Sequence, residues 1–225
     1  MRLFAALCAV CLLLSAIPTA VADSITFSSD MLGGQVVFNG TGDAFGLRIP
    51  ITTLSSGGQT VAVTGGTCGS TACGWLQFTT GDITSASSTQ DQFASGGTMR
   101  IIGMVPGGTQ DVVLLTATFT GPVDVTETST QPLGGQLLLT GSIQINSVDQ
   151  SVSALFPGIT IPSNGTNATS VLLGIHGAMG SNGSFSGKAQ AQSLSTAPEP
   201  SALVLFGSGL LGVAGVVKRK RSKSR

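Results

Sequence analysis

Residues 115–120 read LTATFT, and residues 137–145 read LLLTGSIQI. In both stretches apolar and polar side chains alternate, so that Thr116, Thr118 and Thr120 share one face and the apolar residues share the other. Successive side chains of a β-strand point to opposite faces of a sheet, and both stretches follow this period of two. They predict strands that bury one face and expose a row of polar groups on the other.

The remainder of the body, residues 23–196, repeats this pattern in shorter runs. Runs rich in Val, Ile, Thr and Phe alternate with Gly, Ser and Asn breaks, and no stretch has a convincing helical period. We therefore expect an all-β fold, arranged as an antiparallel β-sandwich or a jelly-roll-like domain. The predicted strands are Ser24–Ser28, Gln35–Phe38, Ala44–Ile49, Gln59–Val63, Trp75–Thr79, Thr98–Ile102, Val112–Thr120, Gln136–Ile145, Ser151–Phe156, Val171–Ile175 and Gly183–Gln192.

Charged side chains are scarce in this chain. Of its 225 residues 9% are charged, whereas an average soluble domain has about 25%. Between positions 23 and 196 there are nine acidic and three basic residues, and six of the ten basic residues occupy the last eight positions. An acidic body without a basic cluster has little to neutralise phosphates with, which argues against nucleic acid as a partner.

The N-terminus has the three parts of a secretory signal peptide. Arg2 supplies a positive charge, residues 3–17 are almost continuously apolar, and Ala20 and Ala22 form a small-x-small cleavage site before Asp23. We expect residues 1–22 to form a signal-peptide helix that directs the chain to the Sec export machinery and is removed by signal peptidase. The alternative is an uncleaved N-terminal anchor.

Two cysteines remain after such cleavage, Cys68 and Cys73 in the segment GTCGSTACG. An even pair this close together predicts a disulfide in an oxidising compartment, with free thiols as the alternative. His176 is the only histidine of the chain, and two cysteines with one distant histidine do not make a convincing zinc site. We expect neither a metal nor a cofactor.

The C-terminus, residues 197–225, places three elements in a fixed order. The tripeptide Pro198, Glu199 and Pro200 comes first, and residues 201–217 then form an apolar run long enough to cross a bilayer core as a transmembrane helix. A basic cluster follows, consisting of Lys218, Arg219, Lys220 and Arg221. Basic residues beside a span stay in the cytoplasm, so the body of an exported chain ends outside.

This arrangement resembles the PEP-CTERM sorting domain of exported bacterial proteins. The resemblance covers about the last 29 residues. It implies that exosortase, a membrane protease-transpeptidase, recognises the tripeptide and removes the tail, and that the source is an exopolysaccharide-producing bacterium. The mature protein is then expected in the cell envelope, at the cell surface or in the extracellular matrix. A plain single-span anchor is the alternative.

The body offers little catalytic chemistry. No Ser lies at the centre of a GxSxG motif, and no GxxxxGK[ST] loop occurs. Asp124 and Glu127 are the closest pair of acids, but three positions apart on a strand they point to opposite faces. Trp75 is expected either to pack in the core beside the disulfide or to stack on a sugar. We expect a non-enzymatic structural or adhesive protein that contacts exopolysaccharide, with a carbohydrate-binding module or a glycoside hydrolase as alternatives.

Overall fold

The computed structural model describes residues 25–127, 137–157 and 168–195. This part of the chain contains thirteen strands and one short helix, α1, which spans Gln150–Leu155. The strands are β1 (Thr26–Ser28), β2 (Gly33–Phe38), β3 (Asp43–Ile51), β4 (Thr53–Ser56), β5 (Gln59–Ala62), β6 (Gly66–Cys68), β7 (Thr71–Ala86), β8 (Gln90–Phe93), β9 (Gly96–Gly103), β10 (Val112–Glu127), β11 (Leu137–Val148), β12 (Ala168–His176) and β13 (Phe185–Ser195).

Nine of these strands, β2, β3 and β7 to β13, form a closed antiparallel barrel, so the predicted sandwich or jelly roll is wrong. The order around the barrel is β12, β11, β10, β8, β7, β3, β2 and β13, and β13 pairs again with β12. That last pairing closes the ring, with His176 opposite Lys188. β9 continues the β8 position, because it also pairs with both β7 and β10. The sheet therefore has eight positions and encloses one core instead of dividing into two facing sheets.

β-Bulges bend the long strands so that they fit the closed barrel. β7 and β10 have 16 residues each, and the pairing of β10 with β11 shifts register at Thr116/Ala117 and between Phe119 and Val123. Each such irregularity bends a strand and increases its twist, as closure requires. β10 consequently pairs with β9 over its first half and with β8 over its second half.

The predicted alternation in the first two stretches is confirmed. Leu115, Ala117 and Phe119 of β10 are buried, as are Leu137 and Leu139 of β11, while the intervening threonines lie on the outer face. Phenylalanine rings fill the barrel interior. The ring of Phe38 packs edge-on against Phe93, with a centroid distance of 4.9 Å, and lies 5.6 Å from Phe185. The ring of Phe78 meets that of Phe119 at 6.2 Å.

The predicted strand Ser151–Phe156 is wrong, because α1 occupies this segment. Asp149 is its N-cap, and the Asp149 side chain accepts a hydrogen bond of 2.8 Å from the Ser151 backbone N–H. Such a cap satisfies a backbone donor that the first turn of a helix leaves without a partner. Val152 is fully buried and Leu155 packs, partly buried, against the core, so two apolar side chains hold the helix in place.

The two predicted terminal helices lie outside the described residues. These are the signal peptide, residues 1–22, and the transmembrane segment, residues 201–217. Within the described ranges, no helix combines the length and the hydropathy that crossing a membrane requires.

Candidate functional site

Trp75 lies on the outer surface of the barrel, beside the disulfide. Its neighbours Leu76 and Phe78 on β7 are buried in the interior, whereas Trp75 is half-buried on the opposite face. The indole lies flat over Gly66 of β6, since a Cβ at that glycine would come within 2.6 Å of the indole Nε1. Trp75 therefore packs beside the cysteines, as one alternative expected, but outside the core.

The disulfide joins Cys68 to Cys73 across the β6–β7 hairpin, with the two Cα atoms 5.9 Å apart. Both cysteines are buried. Gly66, over which the indole lies, belongs to this hairpin. The Cys68–Cys73 disulfide therefore holds in place the backbone next to Trp75. Gly69 adopts a φ of 65° at the turn, a conformation that glycine adopts without steric cost.

A shallow groove of about 310 Å³ runs beside this tryptophan. Among the described residues, no charged side chain lines it. Its walls are formed largely by Met31, Leu32, Pro50, Thr67, Cys68 and Trp75. Leu32 is 45% exposed, and further exposed apolar side chains, Phe45 and Leu47, lie along the outside of β3. The groove offers an apolar floor and one aromatic face to a ligand.

A second surface, which we call the polar face, crosses β7, β9, β10 and β11. It consists of Gln77, Thr79, Thr98, Arg100, Thr116, Thr118, Asn146 and Ser147. Hydrogen bonds join these side chains across strands. The Arg100 Nε donates to the Gln77 Oε1 at 3.0 Å, and the Thr116 and Ser147 hydroxyls bond to each other. Arg100 is the single charged residue of this face.

Asp91 is a site residue that the sequence reasoning missed. It lies on β8 and points inward with Phe93, and its side chain is fully buried. The Oδ1 accepts a hydrogen bond of 3.3 Å from the Ser87 N–H, whereas the Oδ2 has no partner among the described residues. Burial raises the pKa of Asp91 above its ordinary value, and the Ser87 hydrogen bond opposes this in part. The alternation in QDQF, which places Asp91 and Phe93 on one face, was the available signal.

The residues considered for catalysis are spread over the surface. Asp124 lies on the outer side of β10 and accepts a hydrogen bond of 2.9 Å from the Gln92 Nε2. Glu127 is exposed at the end of the same strand. His176 is exposed at the end of β12, two strands away. Across the described ranges, no three His, Cys, Asp or Glu side chains converge as metal ligands.

The predicted sorting and cleavage residues are not in the described part of the chain. These are Ala20, Ala22, Pro198, Glu199, Pro200, Lys218, Arg219, Lys220 and Arg221. The last described residue, Ser195, ends strand β13.

The tripeptide, apolar run and basic cluster of the C-terminus are the features of exported, C-terminally sorted proteins. A family model, the PEP-CTERM protein-sorting motif, matches residues 196–220. The resemblance of the C-terminus is thereby confirmed: the chain carries a PEP-CTERM motif, which implies recognition by exosortase, export and C-terminal anchoring at the envelope. No curated protein and no solved structure matches the chain, so the family of the body is unidentified.

Proposed function

We propose that the barrel is a non-enzymatic module with a structural or adhesive role in the hydrated polysaccharide of a bacterial envelope or extracellular matrix. The observation that supports this proposal is the polar face, on which hydroxyl and amide groups from four adjacent strands accompany a single charge, that of Arg100. Such groups exchange hydrogen bonds with sugar hydroxyls. The cross-strand bonds also hold side chains in place before binding, which lowers the entropy lost on association.

Retention on immobilised polysaccharide tests the proposal. We expect the purified chain to bind a neutral β-glucan, and because the face has little charge, binding should change little when salt is raised. The double variant Thr116→Val, Thr118→Val removes two hydroxyls while keeping the side-chain shape, and it should bind several-fold more weakly. Thr60→Val is the matched control, because Thr60 is exposed on β5, away from the polar face.

Circular dichroism checks the folding of each variant. Equal retention of the double variant and the wild type would exclude the polar face as the contact surface. A wild type that no tested polysaccharide retains, whether neutral or anionic, would remove the adhesive role.

The groove beside Trp75 favours a second candidate, a carbohydrate-binding module that takes one short glycan. A half-buried indole on the outer surface, beside an apolar floor, suits the apolar face of a pyranose ring. Trp75 is the only tryptophan of the chain, so its fluorescence reports directly on an oligosaccharide that enters the groove. Trp75→Ala should lower affinity about tenfold, a loss of ~1.4 kcal/mol, and Phe45→Ala on the outside of β3 is the control. Unchanged emission across a panel of oligosaccharides would reject this candidate.

A further inference from the structure

Asp91 is a buried titratable residue that belongs neither to the groove beside Trp75 nor to the polar face. Its side chain is 0% exposed, and it lies near the end of the barrel at which Phe38, Phe93 and Phe185 pack together. A Cβ at Gly183 would meet the Asp91 Oδ1 at 2.6 Å and the Ala86 Cβ at 3.2 Å. The carboxyl group is therefore enclosed by β7, β8 and the loop before β13, in apolar surroundings.

Hydrogen bonding to this carboxyl group is incomplete. The single described donor is the Ser87 N–H, at 3.3 Å from the Oδ1, and the Oδ2 is without a partner in the described part of the chain. An ionised carboxylate that is buried without a cation costs several kcal/mol or more, so such a group usually keeps its proton instead.

Within the described part of the chain, the elements around Asp91 supply no positive charge. On β7 and β10 the nearby titratable groups are Asp82, Asp124 and Glu127, which are acidic. The turn at 39–42 and the loop at 177–184 contain no titratable residue. The three basic residues of the body, Arg48, Arg100 and Lys188, are exposed, and so is its histidine, His176.

We propose that Asp91 is a proton-binding site, which keeps its proton while the barrel end is closed and loosens that end when the proton is lost. The barrel end here means the turn at 87–90 and the loop at 180–184. Two backbone hydrogen bonds close the loop, from the Gly183 N–H to the Gly180 oxygen and from the Gly180 N–H to the Ser184 oxygen. An anion formed beneath Gly183 gains solvation when this loop moves away.

The direction of the pH effect follows from the burial of Asp91. Burial raises the pKa of this carboxyl above the ordinary value of 3.8, so the folded state retains a proton that the unfolded state has already released. The stability that Asp91 contributes is complete below the ordinary pKa. It falls as the pH rises, by up to tenfold in the folding equilibrium per pH unit, and levels off above the raised pKa.

Asp91→Asn tests this proposal, because an amide has the shape of the protonated acid and does not ionise. Thermal unfolding of the purified chain from about pH 4 to about pH 9 should show the wild type and variant melting together at low pH, with the variant increasingly more stable as the pH rises. Asp124→Asn on the outer face is the matched control and should not produce this divergence. Hydrogen exchange at 87–90 and 180–184, corrected for intrinsic rates, should accelerate with pH in the wild type alone.

Three results would overturn the proposal. One is an Asp91→Asn variant that is less stable than the wild type throughout the upper part of this pH range, because that means the ionised form has a partner. Another is a calcium-dependent rise of melting temperature in the wild type but not in the variant, which would make the site a cation site. If the variant does not fold, carboxyl-carbon NMR of the wild type decides, and a titration midpoint for Asp91 at or below the ordinary value rejects the idea.

Discussion

Gly46→Ala is the sharpest test of the barrel interior. Gly46 is buried on β3, and a Cβ there would lie within 2.5 Å of two ring carbons of Phe78 and 2.9 Å from the Ile49 Cδ1. Phe78 is only 3% exposed and meets the ring of Phe119. The ring consequently has little room to move, so the added methyl group must displace packed core atoms.

Overpacking of this kind typically costs about 1–3 kcal/mol. In a body of this size each kcal/mol lowers the melting temperature by roughly 2–4 °C, so we expect Gly46→Ala to melt roughly 2–12 °C below the wild type. The control is Gly121→Ala, because a Cβ at Gly121 meets no atom within 4 Å and its φ is not positive. Calorimetry should show the control unchanged or up to about 1 kcal/mol more stable. If Gly46→Ala melts together with this control, Phe78 does not fill the space beside β3, and the packing described for the interior is wrong.

Three further predictions concern the disulfide, the helix cap and the sorting motif. Reduction of the bond between Cys68 and Cys73 should cost about 2 kcal/mol, since it closes a short loop; calorimetry with and without reductant measures this, and a double Cys→Ser variant must be insensitive to reductant. Asp149→Ala should cost about 1 kcal/mol. Hydrogen bonds from the Ser151 hydroxyl and N–H lower the pKa of Asp149. The stability that Asp149 contributes is therefore present above the ordinary pKa of the carboxyl and is lost as the pH falls through the lowered pKa. A stability difference between wild type and variant that stays constant down to low pH would contradict this. Replacement of Glu199 by Ala should leave the basic tail on the exported chain, which an intact-mass measurement will show. Normal removal of the tail from this variant would mean that sorting does not depend on Glu199 of the tripeptide.

The faces of the long strands were predictable because alternation is a local property. Leu137, Leu139 and Ile143 are buried in the order that their spacing indicates. The same rule failed at residues 151–156, where Val152, Ala154 and Phe156 also alternate with other residues. There the local competitor was the Asp149 side chain, which caps a helix turn. The overlooked signal was Asp149 itself, an N-cap residue immediately before the helix begins at Gln150.

Closure of the barrel was not predictable from the same pattern. A sandwich and a barrel both bury every second residue, so the alternation is identical in the two folds. The difference lies in the pairing of β12 with β13 and in the bulges of β10. These depend on strand tilt and register over the whole sheet. The outward position of Trp75 could have been predicted from the local sequence, because it alternates with the apolar residues Leu76 and Phe78, which are buried.

The scarcity of basic residues links the interior of the barrel to its surface. A body with three basic residues between positions 23 and 196 has few cations to place beside a buried acid. Burial raises the pKa of Asp91, which favours the protonated carboxyl. On the outside, the same scarcity leaves hydroxyl and amide groups to meet the environment, and these interactions are insensitive to ionic strength. Both properties can be tested by solution conditions: salt should leave binding to a neutral polysaccharide nearly unchanged, whereas pH should change stability through Asp91 and Asp149 in opposite directions.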